Sequence, residues 1–379
     1  MTQSALDIAQ QLIKFPSVTP DDAGAQGYLK SFLKELGFEI YDLPFEGRGS
    51  YRVENFFARY GKDGAHLCFA GHTDVVPPGD EKAWSVPPFE GAVRDGRLIG
   101  RGASDMKGQV AAFAAAARDY LQSGYKKGSI SLLITGDEEK DSINGTARVL
   151  EWMKEHNHIP DVCIVGEPSN PDYMGQEIKI GRRGSLTGYL TVKGRQGHVA
   201  YPDRADNPLT RLVKYLDTLK ETIFDKGSAF FPPTNLEITT IDTGNSASNV
   251  IPAEAKAVFN LRFSDRWTVE ALETKIRFIL DGISPAYELR FNRGAHSFIT
   301  QPGEWTGLVA DAVAAHTGVR PAMTTSGGTS DARFVASYCP VVEFGMVNKS
   351  IHQVDEYCKV ADLEQCTAIY HEILKRYFV

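Results

Sequence analysis

The amino-acid sequence predicts an α/β protein whose mixed, largely parallel sheet is flanked by helices and interrupted by a smaller α+β domain. Strand-like apolar runs alternate with helical periodicities in the first half of the chain. A β-α-β-β-α-β order follows in the middle, which is typical of a ferredoxin-like domain. The 379 residues also exceed the length at which a single core usually keeps growing. We therefore expect a discontinuous larger domain, 1–181 and 295–379, and an inserted domain, 182–294.

Local signals predict the elements of the larger domain. Ser4 is placed to cap an opening helix, and the sequence from Thr19 to Asp22 is typical of the start of a second helix that Gly37 ends. Later helices are predicted at 106–121, 145–156 and from Asp362 onward, where Gln365 could complete a capping box. Apolar runs predict buried strands at 38–43, 55–60, 66–71, 129–135 and 161–165.

The inserted domain has its own alternation of patterns. Its strands are predicted at 185–193, 235–242, 254–263 and 287–292, and its helices at 207–221 and 268–282. These six segments, in chain order, supply the β-α-β-β-α-β signature.

Composition narrows the classes of function. The formal net charge of −7, from 41 basic and 48 acidic residues, argues against a surface that coats nucleic acid. No apolar run approaches the roughly 20 residues of a membrane helix, and the first residues lack a secretory pattern. The five cysteines show no CxxC pairing, which favours reduced thiols. We expect a cytoplasmic protein without nucleic-acid or membrane partners.

Five side chains of the kinds that bind divalent metals occur at or near the ends of predicted strands or in a glycine-rich turn. They are His72, Asp105, Glu139, Glu167 and His352. Asp105 alone could simply cap the following helix, and the acidic run 137–139 could be a solvated loop. Taken together, two histidines and three carboxylates suffice for two ions that share one bridging carboxylate. Ligands gather at the carboxyl ends of parallel strands, so a folded sheet could bring this set together.

Two further acidic residues have distinct predicted roles. Asp74 lies two residues after His72, where a carboxylate can fix the tautomer and orientation of the imidazole ring. Glu138 lies beside Glu139, so one carboxylate could bind metal while its neighbour accepts a proton from bound water.

At this point the motifs resemble those of the co-catalytic zinc aminoacylase and carboxypeptidase superfamily. The matching stretches are GHTDVVP at 71–77, GASDMKG at 102–108, DEE at 137–139 and GEP at 166–168. The resemblance implies a zinc exopeptidase-like fold with a lid and dimerisation domain inserted, and a homodimer formed through that domain. It also implies two metal ions per subunit, with Zn²⁺ expected and Co²⁺ or Mn²⁺ as alternatives.

The family pattern implies a division of the metal-binding set. His72 and Glu167 would bind one ion, Glu139 and His352 the other, and Asp105 both. Glu138 would be the general base that activates metal-bound water, and Asp74 would orient His72. His198 would reach into the partner subunit's site and stabilise the oxyanion.

Three more stretches point to the member of the superfamily that hydrolyses N-succinyl-LL-2,6-diaminopimelate to succinate and LL-2,6-diaminopimelate. They are GRRGSL at 181–186, SGGTSDARF at 326–334, and EFG at 343–345 leading to IHQVDE at 351–356. An anionic substrate would need local positive charge, because guanidinium groups pair bidentately with carboxylates. The expected substrate-binding residues are Arg182, Arg183, Ser185, Asn249, Arg262, Gly328, Thr329 and Asn348. The alternatives are an acetylornithine deacetylase, another aminoacylase or carboxypeptidase, and a non-catalytic binding scaffold.

Overall fold

The computed structural model describes residues 3–124 and 128–379. The chain divides into two compact units, the first comprising 1–181, 300–324 and 330–379, the second 182–299 and 325–329. The insertion that the sequence predicts at 182–294 ends earlier than the second unit and leaves out its segment 325–329.

The helices of the described residues are α1 (Ala5–Ile13), α2 (Ala25–Glu35), α3 (Lys107–Gln122), α4 (Thr146–Glu155), α5 (Pro208–Glu221), α6 (Val269–Asp281), α7 (Glu304–Thr317), α8 (Ala332–Val335) and α9 (Val360–Tyr377). The strands are β1 (Glu39–Asp42), β2 (Phe45–Gly47), β3 (Ser50–Val53), β4 (Phe56–Tyr60), β5 (His66–His72), β6 (Ala92–Arg94), β7 (Arg97–Ile99), β8 (Ser129–Thr135), β9 (Val162–Val165), β10 (Glu177–Lys179), β11 (Gly181–Arg182), β12 (Gly184–Lys193), β13 (Gly197–His198), β14 (Asn235–Asp242), β15 (Val250–Ile251), β16 (Glu254–Phe263), β17 (Glu288–Ala295), β18 (Phe298–Ile299), β19 (Ala322–Thr324), β20 (Val341–Glu343) and β21 (Tyr357–Lys359). Within these residues, no helix combines the length and apolar character needed to cross a bilayer.

Eight strands form the main sheet of the first unit, in the spatial order β1-β4-β8-β5-β9-β20-β10-β19. The four neighbours β8, β5, β9 and β20 run parallel to one another. Strands β1, β4 and β10 introduce antiparallel pairs toward the two edges. The prediction of a mixed, largely parallel sheet is confirmed. The parallel strands place their carboxyl ends side by side, which is where such sheets bind ligands.

The core of this unit forms where helices cover the central strands. Every residue of β5 and β8 is buried, and α3 is buried along nearly its whole length. The rings of Phe69 on β5 and Phe113 on α3 stack with centroids 4.4 Å apart. Tyr370 of α9 packs edge-on against Phe113 and donates a 2.6 Å hydrogen bond to the Phe344 carbonyl. This close packing gives a rigid support to the side chains at the carboxyl ends of the central strands.

Two predicted helix starts are wrong. Helix α2 begins at Ala25, because the Asp22 carboxylate first accepts the main-chain N–H groups of Gly24 and Gln26 and forms a separate turn. Helix α9 begins at Val360 without the expected capping box at Asp362 and Gln365. The chain passes from β21 straight into that helix, and the Val360 N–H is bound by the Gly96 carbonyl instead.

The second unit contains a four-stranded antiparallel sheet in the order β14-β16-β12-β17. Its helices α5 and α6 share one hydrophobic core with the sheet, built from residues such as Leu190, Leu216, Phe259 and Ile276. The order β12-α5-β14-β16-α6-β17 confirms the predicted ferredoxin-like pattern.

Candidate metal centre

The carboxyl ends of the parallel strands carry most of the predicted ligands. His72 is the last residue of β5, Glu139 follows the end of β8 by a short turn, and Glu167 follows β9. His352 lies in the loop between β20 and β21, and Asp105 lies in the turn before α3. The sheet therefore collects side chains that are as much as 280 residues apart in sequence (72 to 352).

Asp105 lies between two histidines. Its Oδ1 is 3.3 Å from Nε2 of His72, and its Oδ2 is 3.4 Å from Nε2 of His352. Each histidine also faces a glutamate: His72 Nε2 is 3.8 Å from Glu167 Oε1, and His352 Nε2 is 3.0 Å from Glu139 Oε1. The two carboxylate oxygens of Asp105 thus point toward two different His–Glu pairs.

The tautomer of His72 suits a metal ligand. Its Nδ1 lies 2.9 Å from the main-chain oxygen of Asp74, which can only accept a hydrogen bond, so Nδ1 carries the proton. In the neutral ring the lone pair of Nε2 then faces the carboxylates. His72 Nε2 and Asp105 Oδ1 are buried and have no hydrogen-bond partner among the described residues. A cation between them would satisfy both atoms.

The distances define two groups that could hold a metal ion. Ligand atoms of His72, Asp105 and Glu139 lie within 4.8 Å of one another, as do those of His72, Glu138 and Glu167. Distance alone therefore also permits Glu138 as a ligand, and its assignment as a base must depend on other observations.

The charges of this cluster are strongly coupled. Burial raises the pKa of Asp105, but the nearby imidazoles of His352 and His72 outweigh it and lower that pKa. The hydrogen bonds to Asp105 and Glu139 raise the pKa of His352 to about 10. Burial opposes protonation of His72, yet the carboxylates of Asp105, Asp74 and Glu138 raise its pKa well above the usual value. The cluster attracts positive charge, and a divalent cation can take the place of these protons.

Two alternatives without metal, a helix cap at Asp105 and a solvated loop at 137–139, are wrong. Helix α3 has Met106 at its N-cap and no side-chain cap, so Asp105 does not serve that purpose. The run 137–139 is not a solvated loop either, because Asp137 is fully buried. Asp137 accepts main-chain N–H groups from Ile143 and Asn144 and a hydrogen bond from the Tyr51 hydroxyl. It fixes the turn that carries the two glutamates.

Asp74 acts on more than the imidazole. Its carboxylate lies 3.6 Å from His72 Nδ1, and the main-chain oxygen makes the closer contact. The carboxylate instead accepts the N–H of Glu138 at 3.3 Å and of Glu139 at 3.1 Å. The expected orientation of His72 therefore comes from the backbone of Asp74.

Glu138 differs from Glu139 in its surroundings. Burial, followed by the negative charge of Glu167, raises the pKa of Glu138 well above its usual range. Glu139 instead contacts His352 directly. A carboxyl group with a raised pKa is suited to accept and return a proton near neutral pH.

The candidate substrate-binding residues fall mainly in the second unit. Arg182, Arg183, Ser185, Asn249, Arg262, Gly328 and Thr329 lie there, whereas Asn348 lies in the first unit. Asn348 donates from Nδ2 to the Pro168 carbonyl at 3.4 Å, which ties its loop to the residue after Glu167.

Arg183 and Arg262 form a pair of like charges in the second unit. Burial, and then the charge of Arg262, lowers the pKa of Arg183, and burial lowers that of Arg262. Arg183 donates to Asn235 Oδ1 at 2.8 Å, and among the described residues no carboxylate shifts the pKa of either guanidinium. Such a pair favours binding of an anion.

Arg182 is used differently. It is buried, and its Nη1 donates to the Ser326 carbonyl at 3.0 Å. A Cβ on Gly327, whose φ is +97°, would lie 2.4 Å from that nitrogen. The guanidinium supports the loop that carries Gly328 and Thr329. Ser185, on β12, accepts a hydrogen bond from Asn260 Nδ2 at 3.3 Å.

His198 and Asn249 are exposed neighbours on the second unit. Strand β13 pairs with β15, so His198 lies opposite Val250, directly after Asn249. His198 Nδ1 accepts the N–H of Ala200 at 3.1 Å, which leaves the proton of the neutral ring on Nε2. The ring therefore presents a donor.

Two residues that fix the geometry were not predicted from sequence. Asp137 and Glu356 are both fully buried. Glu356 accepts the main-chain N–H of the predicted ligand Asp105, and Asp137 accepts those of Ile143 and Asn144 in the loop that follows Glu139. Each belongs to an acidic motif in the sequence, but only burial distinguishes it from its acidic neighbours.

Comparison with known proteins matches the sequence of this chain to a family. Residues 68–376 match the model of the peptidase family M20/M25/M40. A protein of Rhodospirillum centenum named succinyl-diaminopimelate desuccinylase is 53% identical over 379 residues, which covers 100% of this chain and 98% of that protein.

Solved structures share the fold at low sequence identity. An M20 family metallo-carboxypeptidase from Sulfolobus solfataricus, Sso-CP2, superposes with a TM-score of 0.81 at 18% identity, covering 100% of this chain and 99% of that one. YXEP of Bacillus subtilis, described as a dinuclear metal-binding peptidase of the M20 family, gives a TM-score of 0.74 at 15% identity, with coverage of 99% and 97%.

Proposed function

Since this chain belongs to the peptidase family M20/M25/M40 and is a hydrolase, we propose that it hydrolyses the amide of N-succinyl-LL-2,6-diaminopimelate to succinate and LL-2,6-diaminopimelate. The name of the relative that is 53% identical supports this substrate. The observation that carries the reaction type is the position of Asp105, whose two oxygens face the pairs His72–Glu167 and His352–Glu139.

We propose that these residues hold two divalent ions. His72 and Glu167 would bind one ion, Glu139 and His352 the other, and Asp105 would contribute one oxygen to each. Nitrogen and oxygen ligands suit Zn²⁺, and Co²⁺ or Mn²⁺ are alternatives. When bound, two such ions lower the pKa of water and polarise the scissile carbonyl.

Glu138 would move the proton. Water adds to the succinyl carbonyl carbon while Glu138 accepts one of its protons. The C–N bond then breaks, and Glu138 returns that proton to the leaving amine. The raised pKa of Glu138, caused first by burial, supports this role because it brings the carboxyl closer to the working pH.

The substrate carries three carboxylates, and the paired guanidinium groups of Arg183 and Arg262 would bind to them. Their desolvation and mutual repulsion support this role, because an anion would relieve both costs. Hydrogen bonds from Ser185, Asn249, Gly328, Thr329 and Asn348 would complete the binding site, and Arg182 would hold the loop at 326–329 in place.

His198 would donate from Nε2 to the developing oxyanion in the partner subunit's site. The hydrogen bond that its Nδ1 accepts from Ala200 supports this role, since it fixes the tautomer that donates. The second unit would form the homodimer and act as a lid. The reaction would belong to diaminopimelate and lysine biosynthesis in the cytoplasm.

The test is incubation of protein loaded with Zn²⁺ or Co²⁺ with three substrates: N-succinyl-LL-2,6-diaminopimelate, N-acetylornithine and a dipeptide. We expect release of succinate from the first, with a kcat/KM at least 100-fold higher than for the others. Preferential cleavage of acetylornithine or of the dipeptide would replace the proposed substrate with that of another aminoacylase or peptidase. No cleavage of any substrate by protein that binds two cations would favour a binding scaffold.

A further inference from the structure

The buried carboxylate of Glu356 joins two parts of the metal centre that are distant in sequence. Its Oε1 accepts hydrogen bonds from the main-chain N–H groups of Ser104 at 2.9 Å and Asp105 at 3.0 Å. Its main-chain oxygen accepts the N–H of Gly100 at 2.9 Å. A single residue thus holds both ends of the turn that delivers Asp105.

Arg101 fixes the other oxygen of this carboxylate. Its Nη1 donates to Glu356 Oε2 at 2.6 Å, and its Nη2 donates to the Pro77 carbonyl at 3.3 Å. The guanidinium lies over the ring of Trp84 at 5.3 Å, and Arg101 is only 2% exposed. Both oxygens of Glu356 are therefore used, and the side chain has one defined position.

The loop that contains Glu356 also contains His352. The Ser350 hydroxyl accepts the N–H of Tyr357 at 3.0 Å and donates to its carbonyl at 2.9 Å, which closes the loop 350–357. His352 itself has a φ of +62°. Its position therefore depends on how this loop is fastened, whereas His72 is the last residue of a strand that is paired on both sides.

We propose that Glu356, held by Arg101, is a positioning residue that sets the separation of Asp105 from His352 and so creates the cation position on the His352–Glu139 side. This inference rests on the proposed function with two cations. A buried ion pair often contributes little net stability compared with apolar residues of the same volume. Its value here is geometric: the hydrogen bonds to the Asp105 turn place Asp105 Oδ2 3.4 Å from His352 Nε2.

The test is Glu356→Gln, which keeps the shape of the side chain. Its amide cannot both accept the two N–H groups and pair fully with Arg101, because one of its two polar atoms is a donor. Metal-free protein is titrated with Zn²⁺ and with Co²⁺, without substrate, and the two dissociation constants and the Co²⁺ absorption spectrum are measured. The control is Asp161→Asn, which alters a carboxylate that accepts the His66 N–H at 2.8 Å at the opposite end of β5.

We expect Glu356→Gln to weaken binding of the cation on the His352–Glu139 side about 10- to 100-fold, as is typical for residues that support ligands. The Co²⁺ absorption spectrum should also change. Binding of the cation on the His72–Glu167 side should weaken by less than about threefold. The control Asp161→Asn should bind both cations like the wild type, even if its melting temperature falls as much as that of Glu356→Gln. Wild-type affinity for both cations in Glu356→Gln would overturn the inference, as would equal weakening of both. If Glu356→Gln does not fold, Arg101→Lys serves in its place, with the same expected selectivity and the same refuting outcomes. Because no substrate is present, a failure of the proposed reaction would appear separately in the turnover assay.

Discussion

Asp74 holds the main chain of Glu139, since its Oδ2 accepts the Glu139 N–H at 3.1 Å. The other oxygen accepts the N–H of Glu138 at 3.3 Å. The residue that orients His72 through its main-chain oxygen therefore also fixes the two glutamates with different proposed roles. A change at Asp74 should disturb metal binding and proton transfer together.

Asp74→Asn tests this relationship. Its amide has one acceptor oxygen, so one of the two N–H groups loses its partner. An unsatisfied buried N–H costs about 1–3 kcal/mol of unfolding free energy. We expect a loss of that size in denaturant titration and a fall in kcat of roughly 10- to 100-fold at saturating cation. Asp141→Asn, an exposed residue of the same loop, is the control. An Asp74→Asn protein with normal kcat would contradict this account.

Glu138→Gln should separate proton transfer from metal binding. The amide cannot accept a proton from water, and general acid–base catalysis typically contributes 10²–10⁴-fold, so we expect kcat to fall by roughly that factor. Elemental analysis should still find two ions per chain. Glu139→Gln is the matched comparison, and it should lose the ion that Glu139 would bind together with His352. Loss of an ion in Glu138→Gln would make Glu138 a ligand, as the distances to His72 and Glu167 permit.

His198→Ala should lower kcat about 10²- to 10³-fold, the usual effect of removing an oxyanion donor. Metal content and melting temperature should stay close to the wild-type values, because His198 is exposed. The control is His296→Ala, another exposed histidine of the second unit. Wild-type turnover in His198→Ala would exclude the oxyanion role.

Arg262→Gln should weaken substrate binding. Hydrogen bonds to charged groups contribute about 1.5–3 kcal/mol, so KM for the succinylated substrate should rise roughly 10- to 100-fold. Arg290→Gln is the control, because Arg290 is an exposed arginine of the same unit that lies over the Tyr189 ring. If both variants raise KM equally, a general field effect would explain the result better than a specific contact.

The metal-free protein should lose stability as the pH rises. Asp105 and Glu139 raise the pKa of His352 from 6.5 to about 10. Because the folded protein binds this proton more tightly than the unfolded chain does, protonated His352 stabilises the fold fully below pH 6.5. This stabilisation is lost as the pH rises through about 10. In EDTA, the difference in melting temperature between wild type and His352→Asn should therefore be largest at pH 6 and shrink toward pH 10. A difference that is constant with pH would contradict the assignment.

The affinity for the cations should increase as the pH rises, because a bound cation must displace the protons of His72 and His352. Calorimetry of Zn²⁺ binding in buffers with different ionisation enthalpies should detect protons released at neutral pH. Binding without proton release would mean that His72 and His352 are already neutral in the metal-free protein.

The sequence by itself determined the alternation of strands and helices and the identity of the five candidate ligands. Strand β8 at Ser129–Thr135 and strands β14 and β16 have the predicted bounds, because continuous or alternating apolar residues specify burial directly. The starts of α2 and α9 were mispredicted, since side-chain and main-chain hydrogen bonds from neighbouring segments replaced the expected caps.

Only the tertiary structure decided which donors and charges surround each of these acidic residues. The sequence alone does not distinguish four carboxylates: Asp105, Asp137, Glu138 and Glu356. In the fold, Asp105 faces two histidines, Asp137 and Glu356 bind main-chain N–H groups, and Glu138 is desolvated beside Glu167. The physical reason is that a carboxylate's role depends on which donors and charges lie within a few ångströms of it, and those neighbours come from distant parts of the chain.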